Sequence, residues 1–157
     1  MINNDVLRSL RYMLDFGDHH VAALAELADG GPAPGRDQVQ AWLRRDDDPG
    51  FAPLDDRMLA RLLDGLIVHL RGAREGAPPR APEKRLTNNL VLKKLRVAFE
   101  LRDVDLHAIF EAAGHPVSKP ELTALFRQPG HANYRPCGDQ LLRYFLRGLT
   151  LRVRGAG

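Results

Sequence analysis

The residues of this chain best suited to engaging a partner are cations of its second half: Lys93, Lys94, Lys119, Arg127, Arg143 and Arg147. Ammonium and guanidinium groups hold phosphate oxygens, and the paired N–H donors of Arg also match a base edge. Arg143, Arg147 and Arg154 fall within about 40° of one another on a helix, at 100° per residue. Such a stripe suits phosphate or an acidic partner. The alternative is a solvated face whose last arginine complements the helix dipole. Lys119, Glu121, Thr123, Arg127 and Gln128 point outward from a predicted short helix. There Thr123 and Arg127 face base edges if nucleic acid is bound, and Lys119 holds a phosphate. Short exposed helices are polar in any case, so a solvated surface accounts for them as well. Lys93 and Lys94, with Arg96, extend the basic surface if they share its side.

Other chemistries find less support. Asp46, Asp47 and Asp48 lack the alternating ligands and terminal Glu of a calcium loop. Six histidines (19, 20, 69, 107, 115, 131) show no metal-ligand spacing on one helix face. Cys137, the single cysteine, rules out an internal disulfide, and it aligns with Leu54 in the repeat described below, which points to packing. There is no phosphate-binding glycine loop, nucleophile elbow or acid–base pair. A non-enzymatic protein with no cofactor and no metal is expected. No apolar run approaches the roughly 20 residues of a membrane span, and Met1–Asp5 has no signal-like character, so a cytoplasmic location is expected.

The elements that carry these residues come in two copies. Asn3–Glu26 aligns with Asn88–Glu111 at an offset of 85, and the offset falls to 83 beyond a loop. Asn3-Asn4 meets Asn88-Asn89, Leu10-Arg11 meets Leu95-Arg96, Asp56 meets Asp139, and Gly65-Leu66 meets Gly148-Leu149. This is a tandem duplication of a unit of about 70 residues, the size of a small helical domain. The expected fold class is all-α, two tandem copies of a four-helix unit. The expected boundaries are 1–72 and 88–157, with a linker at 73–87 of extended character over Ala73–Glu83.

Apolar residues at helical spacing define the helices. The first runs over Asp5–Phe16, capped by Asn3 or Asn4 and stopped by Gly17. Asp18 caps the second, Val39, Trp42 and Leu43 mark the third, and a long fourth runs from Asp55 or Asp56 to Arg71. The second copy repeats this as Leu90–Leu101, then Val104–Ala113 capped by Asp103 and ended by Gly114. A third helix follows, opening at Ser118 with a capping box or at Pro120, and a last one spans Gly138 to Arg154. Residues 1–72 carry eight Arg against twelve acids, a charge of −4. Residues 88–157 carry eleven bases against six acids, a charge of +5, which suggests a polyanionic or acidic partner for the second half.

The strings Asn-Asn-Leu-Val-Leu-Lys-Lys-Leu-Arg-Val-Ala-Phe (88–99) and Cys-Gly-Asp-Gln-Leu-Leu-Arg-Tyr-Phe-Leu-Arg-Gly-Leu (137–149) resemble the YehS family of bacterial proteins. Trp-Leu-Arg-Arg (42–45), Gly-Phe (50–51) and Asp-Gly-Leu-Ile (64–67) extend the resemblance over nearly the whole chain. It implies two copies of one domain of unknown function, and it brings no catalytic or cofactor residue. The helix order in each copy is also similar to the lambda-repressor-like helix-turn-helix domain. In that likeness Leu106–Ala113 supports a recognition helix at Leu122–Phe126. The expected function is therefore a binding protein, with DNA or RNA held by the basic second repeat. The rival is a module for a protein partner or a homodimer, with no role for nucleic acid or membrane.

Overall fold

The computed structural model describes residues 1–72 and 81–155, and these contain eight helices and no strand. They are α1 (Asn3–Leu14), α2 (Asp18–Glu26), α3 (Arg36–Leu43), α4 (Asp56–Arg71), α5 (Asn88–Ala98), α6 (Asp103–Ala112), α7 (Lys119–Leu125) and α8 (Asp139–Val153). The chain divides into two compact units, Met1–Leu86 and Thr87–Gly157. Most of the expected linker, 73–80, lies outside the described residues. Residues 81–86 return to the first unit, where the Leu86 N–H donates to the Asp56 carboxylate at 2.9 Å. Thr87 belongs to the second, its hydroxyl accepting from the Leu90 N–H at 3.1 Å to cap α5.

Contrary to expectation, the paired asparagines are not caps. They stand inside the first turns of α1 and α5, and their side chains reach the loop before the last helix of each unit. The Asn89 amide donates to the carbonyls of Leu125 (2.9 Å) and Arg135 (2.8 Å) and accepts from the Cys137 N–H (2.8 Å). Asn4 does the same with Trp42 (2.9 Å), Ala52 (3.0 Å) and the Leu54 N–H (3.0 Å). Asn88 and Asn3 add a second tie, each donating to the residue two before the last helix's first and to that helix's first carboxylate, Asp139 or Asp56. A primary amide carries both donor and acceptor, so one side chain satisfies three backbone groups of a loop that has no ladder of its own.

The first helices end differently from expectation too. Asp15 and Glu100 turn left-handed (φ 55° and 53°), and the next N–H, of Phe16 or Leu101, returns to the carbonyl of Arg11 or Arg96 at 2.9 Å. This closing bond ends the helix. Gly17 instead precedes α2, donating its N–H to His20 Nδ1 at 2.9 Å. Asp18 and Asp103 are first residues of their helices rather than caps, and Asp105 accepts from the Arg102 N–H at 2.8 Å. Ser118 caps α7, accepting from the Glu121 N–H at 3.2 Å. The helix begins at Lys119, and Pro120 occupies an early position whose N–H needs no helical partner.

The core of each unit is the cleft between its second and last helices. A Cβ added at Gly148 would lie 2.0 Å from the Ile109 carbonyl oxygen, and one at Gly65 would lie 1.8 Å from that of Leu24. The backbones therefore approach as closely as glycine permits. Around this shared contact the packing volumes differ. Phe110 and Phe145, ring centroids 5.6 Å apart, fill positions held by Ala25 and Leu62 in the first unit. There the extra volume comes from Trp42, which replaces Leu125. Cys137 and Leu54 are equivalent and both buried. Leu70 and Val153, though apolar, lie at the ends of their helices and are exposed and half-buried.

Candidate nucleic-acid interface

The second unit spends its carboxylates on some of its cations. Arg96 pairs with Asp103 at 2.8 Å and lies over the Phe126 ring, 4.8 Å from its centroid. Asp105 takes Arg152 at 2.7 Å and Arg102 at 3.6 Å. Glu121 takes Arg135 at 3.1 Å. The backbone N–H of Arg102, followed by Arg152, holds the Asp105 carboxyl below its ordinary value. Ser118 and then Arg135 do this for Glu121, and the Asn88 amide does it for Asp139.

Four of the predicted residues remain exposed and form no ion pair among the described residues: Lys93, Lys119, Arg143 and Arg147, with Arg143 near enough to Asp139 to help hold its carboxyl below the ordinary value. Arg143 and Arg147 stand on α8 opposite its buried Leu142, Phe145, Leu146 and Leu149, as their spacing required. Arg143 also donates to the Gln140 side chain at 3.3 Å. Lys93 is on the outer side of α5, and Lys119 opens α7.

Three predicted residues need correction or refinement. Lys94 is only 5% exposed. The 100° step of α5 separates it from Lys93 and turns it toward the side of Val91, Leu95 and Ala98, away from any phosphate in solvent. Arg127 lies two residues past the end of α7, half-buried, with Nη1 3.1 Å from His131 Nε2. It does not project from the helix. Thr123 is exposed on α7, but its hydroxyl donates to the Lys119 carbonyl at 3.0 Å, a local bond typical of helical threonine.

A feature that sequence reasoning missed lies beside the α8 arginines. The His115 and Tyr144 rings stack with centroids 4.4 Å apart and planes 6° from parallel. His115 is exposed and Tyr144 half-buried. Comparison of the copies carries the signal. His115 falls in the loop where the first copy has two extra residues, while Arg61 stands where Tyr144 does and is buried with a different task. Its guanidinium donates to the carbonyls of Ala25 (2.9 Å), Gly30 (3.2 Å), Gly31 (2.7 Å) and Pro32 (3.0 Å). It thereby holds the glycine- and proline-rich loop peculiar to the first copy. Ala60, the equivalent of Arg143, is fully buried.

Fold and surface together define a class: an all-helical protein made of two copies of one unit, one acidic and one basic. The chain belongs to the family described as protein of unknown function (DUF1456), which matches it twice, over residues 3–72 and 88–155. It is 47% identical over 152 residues to the uncharacterized protein YehS of Escherichia coli (strain K12), covering 97% of this chain and 96% of that one. No solved structure matches it. No described helix is long and apolar enough to cross a membrane.

Proposed function

We propose that the protein is a non-enzymatic, nucleic-acid-binding protein whose second repeat holds backbone phosphates. The observation that carries this reading is the set of four exposed cations, Lys93, Lys119, Arg143 and Arg147, that form no ion pair among the described residues. An ion pair already made must be broken before a phosphate is gripped, whereas these four have no such pair to break. A more specific form of the reading makes α6 and α7 a helix-turn-helix. Lys119 and Thr123 would then meet the groove. The six residues between the helices exceed the 3–4 of that motif, so phosphate contact is the better supported part.

The test is fluorescence anisotropy of the full chain with labelled duplex and single strands at two salt concentrations. Binding that weakens with salt, and falls for every sequence when Arg143→Glu and Arg147→Glu are combined, is the expected result. Absence of binding at low salt would overturn the reading and leave a protein-partner module in its place.

A further inference from the structure

We propose that the His115–Tyr144 stack is a base-stacking platform, so that the second repeat takes single-stranded nucleic acid in preference to duplex. The inference rests on the nucleic-acid reading above and names its substrate class. Bases within a duplex are stacked on one another, and their faces are closed to a protein. An exposed aromatic ring is completed by a base that has left its stack, and every base has such a face, whatever the sequence. His115 offers that ring, backed by Tyr144 at 4.4 Å and nearly parallel to it.

The surroundings fit a strand rather than a small molecule. Tyr144 follows Arg143 directly, and Arg147 lies one turn further along α8, both arginines exposed and neither in an ion pair among the described residues. A base on the ring pair therefore has cations within reach for the phosphates on its flanks. The first repeat has none of this: Arg61, Ala60 and Asp64 replace Tyr144, Arg143 and Arg147, and its longer loop at 29–35 contains no aromatic residue. The ordinary role for the stack is to pin the turn at Gly114, where the His115 N–H returns to the Phe110 carbonyl at 3.0 Å. The first unit secures its own, two-residue-longer loop at this place through Arg61 instead of an aromatic ring.

The experiment measures anisotropy of fluorescein-labelled oligothymidylate and of a duplex of equal length, using the full chain. Single strand should bind more tightly than duplex. His115→Ala and Tyr144→Leu should each lower single-strand affinity about 5- to 100-fold while leaving duplex affinity unchanged, and Tyr144→Phe should retain it. In the NMR spectrum, the His115 and Tyr144 ring protons should shift upfield as oligothymidylate is added. His115 is exposed, so His115→Ala remains informative even if Tyr144→Leu fails to fold. Unchanged single-strand affinity in His115→Ala, with a loss in Arg143→Glu/Arg147→Glu, would sink the platform and spare the phosphate reading. Failure of the unaltered protein to bind either probe would remove both.

Discussion

At the scale of single residues, Asn89 carries more of the fold than its polarity suggests. Replacing it by Ala strands the Cys137 N–H and two carbonyls in a buried place, at about 2–5 kcal/mol, because each orphaned group costs on the order of 1–3. Asn89→Asp keeps the acceptor but sets a carboxylate against two carbonyls, and it should be at least as harmful. Urea denaturation followed by circular dichroism measures both; a loss below about 1 kcal/mol for Asn89→Ala would contradict the clamp. Cys137 gives a second prediction. Burial pushes its thiol up to about 11, so it stays protonated near neutrality. The thiolate is the nucleophile, so alkylation by iodoacetamide should be slow in the native protein and rise sharply on unfolding. Rapid modification at pH 7.5 in native conditions (roughly three units below that value) would show the sulfur to be accessible.

Among the elements, the closest contact belongs to the second and last helices of each unit. Gly148→Ala should improve the intrinsic helix propensity of α8 by about 1 kcal/mol. It should nonetheless destabilise the protein by more than about 3 kcal/mol, because the new methyl meets the Ile109 carbonyl and the helices must separate. Gly65→Ala makes the same prediction for α2 and α4. A thermal midpoint unchanged in either variant would mean that the helices part at little cost. Acid sensitivity belongs to the starts of α6, α7 and α8. Asp105, Glu121 and Asp139 have carboxyls held below their ordinary values of 3.8, 4.5 and 3.8. A depressed folded value stabilises above the unfolded one and is lost as pH falls through the folded one. The thermal midpoint should therefore hold from neutrality to about pH 5 and drop below about pH 4. Glu121→Gln and Asp105→Asn should lower it at pH 7 and flatten the acid drop.

On the scale of the whole molecule, the proposed phosphate contacts make a prediction about salt. If Lys93, Lys119, Arg143 and Arg147 each neutralise one phosphate, log affinity should fall against log salt with a slope of about −3 for single strands. Removing Arg143 and Arg147 should halve that slope. Charge reversal at Arg36 in the acidic first repeat should leave it nearly unchanged. A slope near zero would mean that phosphate contacts do not drive association. Much of this molecule was legible before folding, because duplication writes each structural requirement twice. Gly65 and Gly148 align, as do Asn4 and Asn89, so positions with a common structural duty stood out. Helix starts were less legible. Asp18 and Asp103 look like caps, but the deciding bonds go to His20 and Asp105, three residues into each helix.

By itself the sequence determined the helical class, the repeat, the division of charge and the outward stripe of Arg143 and Arg147. All of these follow from periodicity and composition along one chain. Tertiary structure decided what depends on residues distant in sequence. It turned Lys94 inward while its neighbour Lys93 stayed out, and it set Arg127 against His131 beyond the end of α7. It gave Asn89 a loop to hold about forty residues away, and it laid His115 on Tyr144. A helical period states which side of a helix is apolar, but a hydrogen bond or a ring stack needs its partner's coordinates. Those exist only once the second and last helices have closed on their glycine.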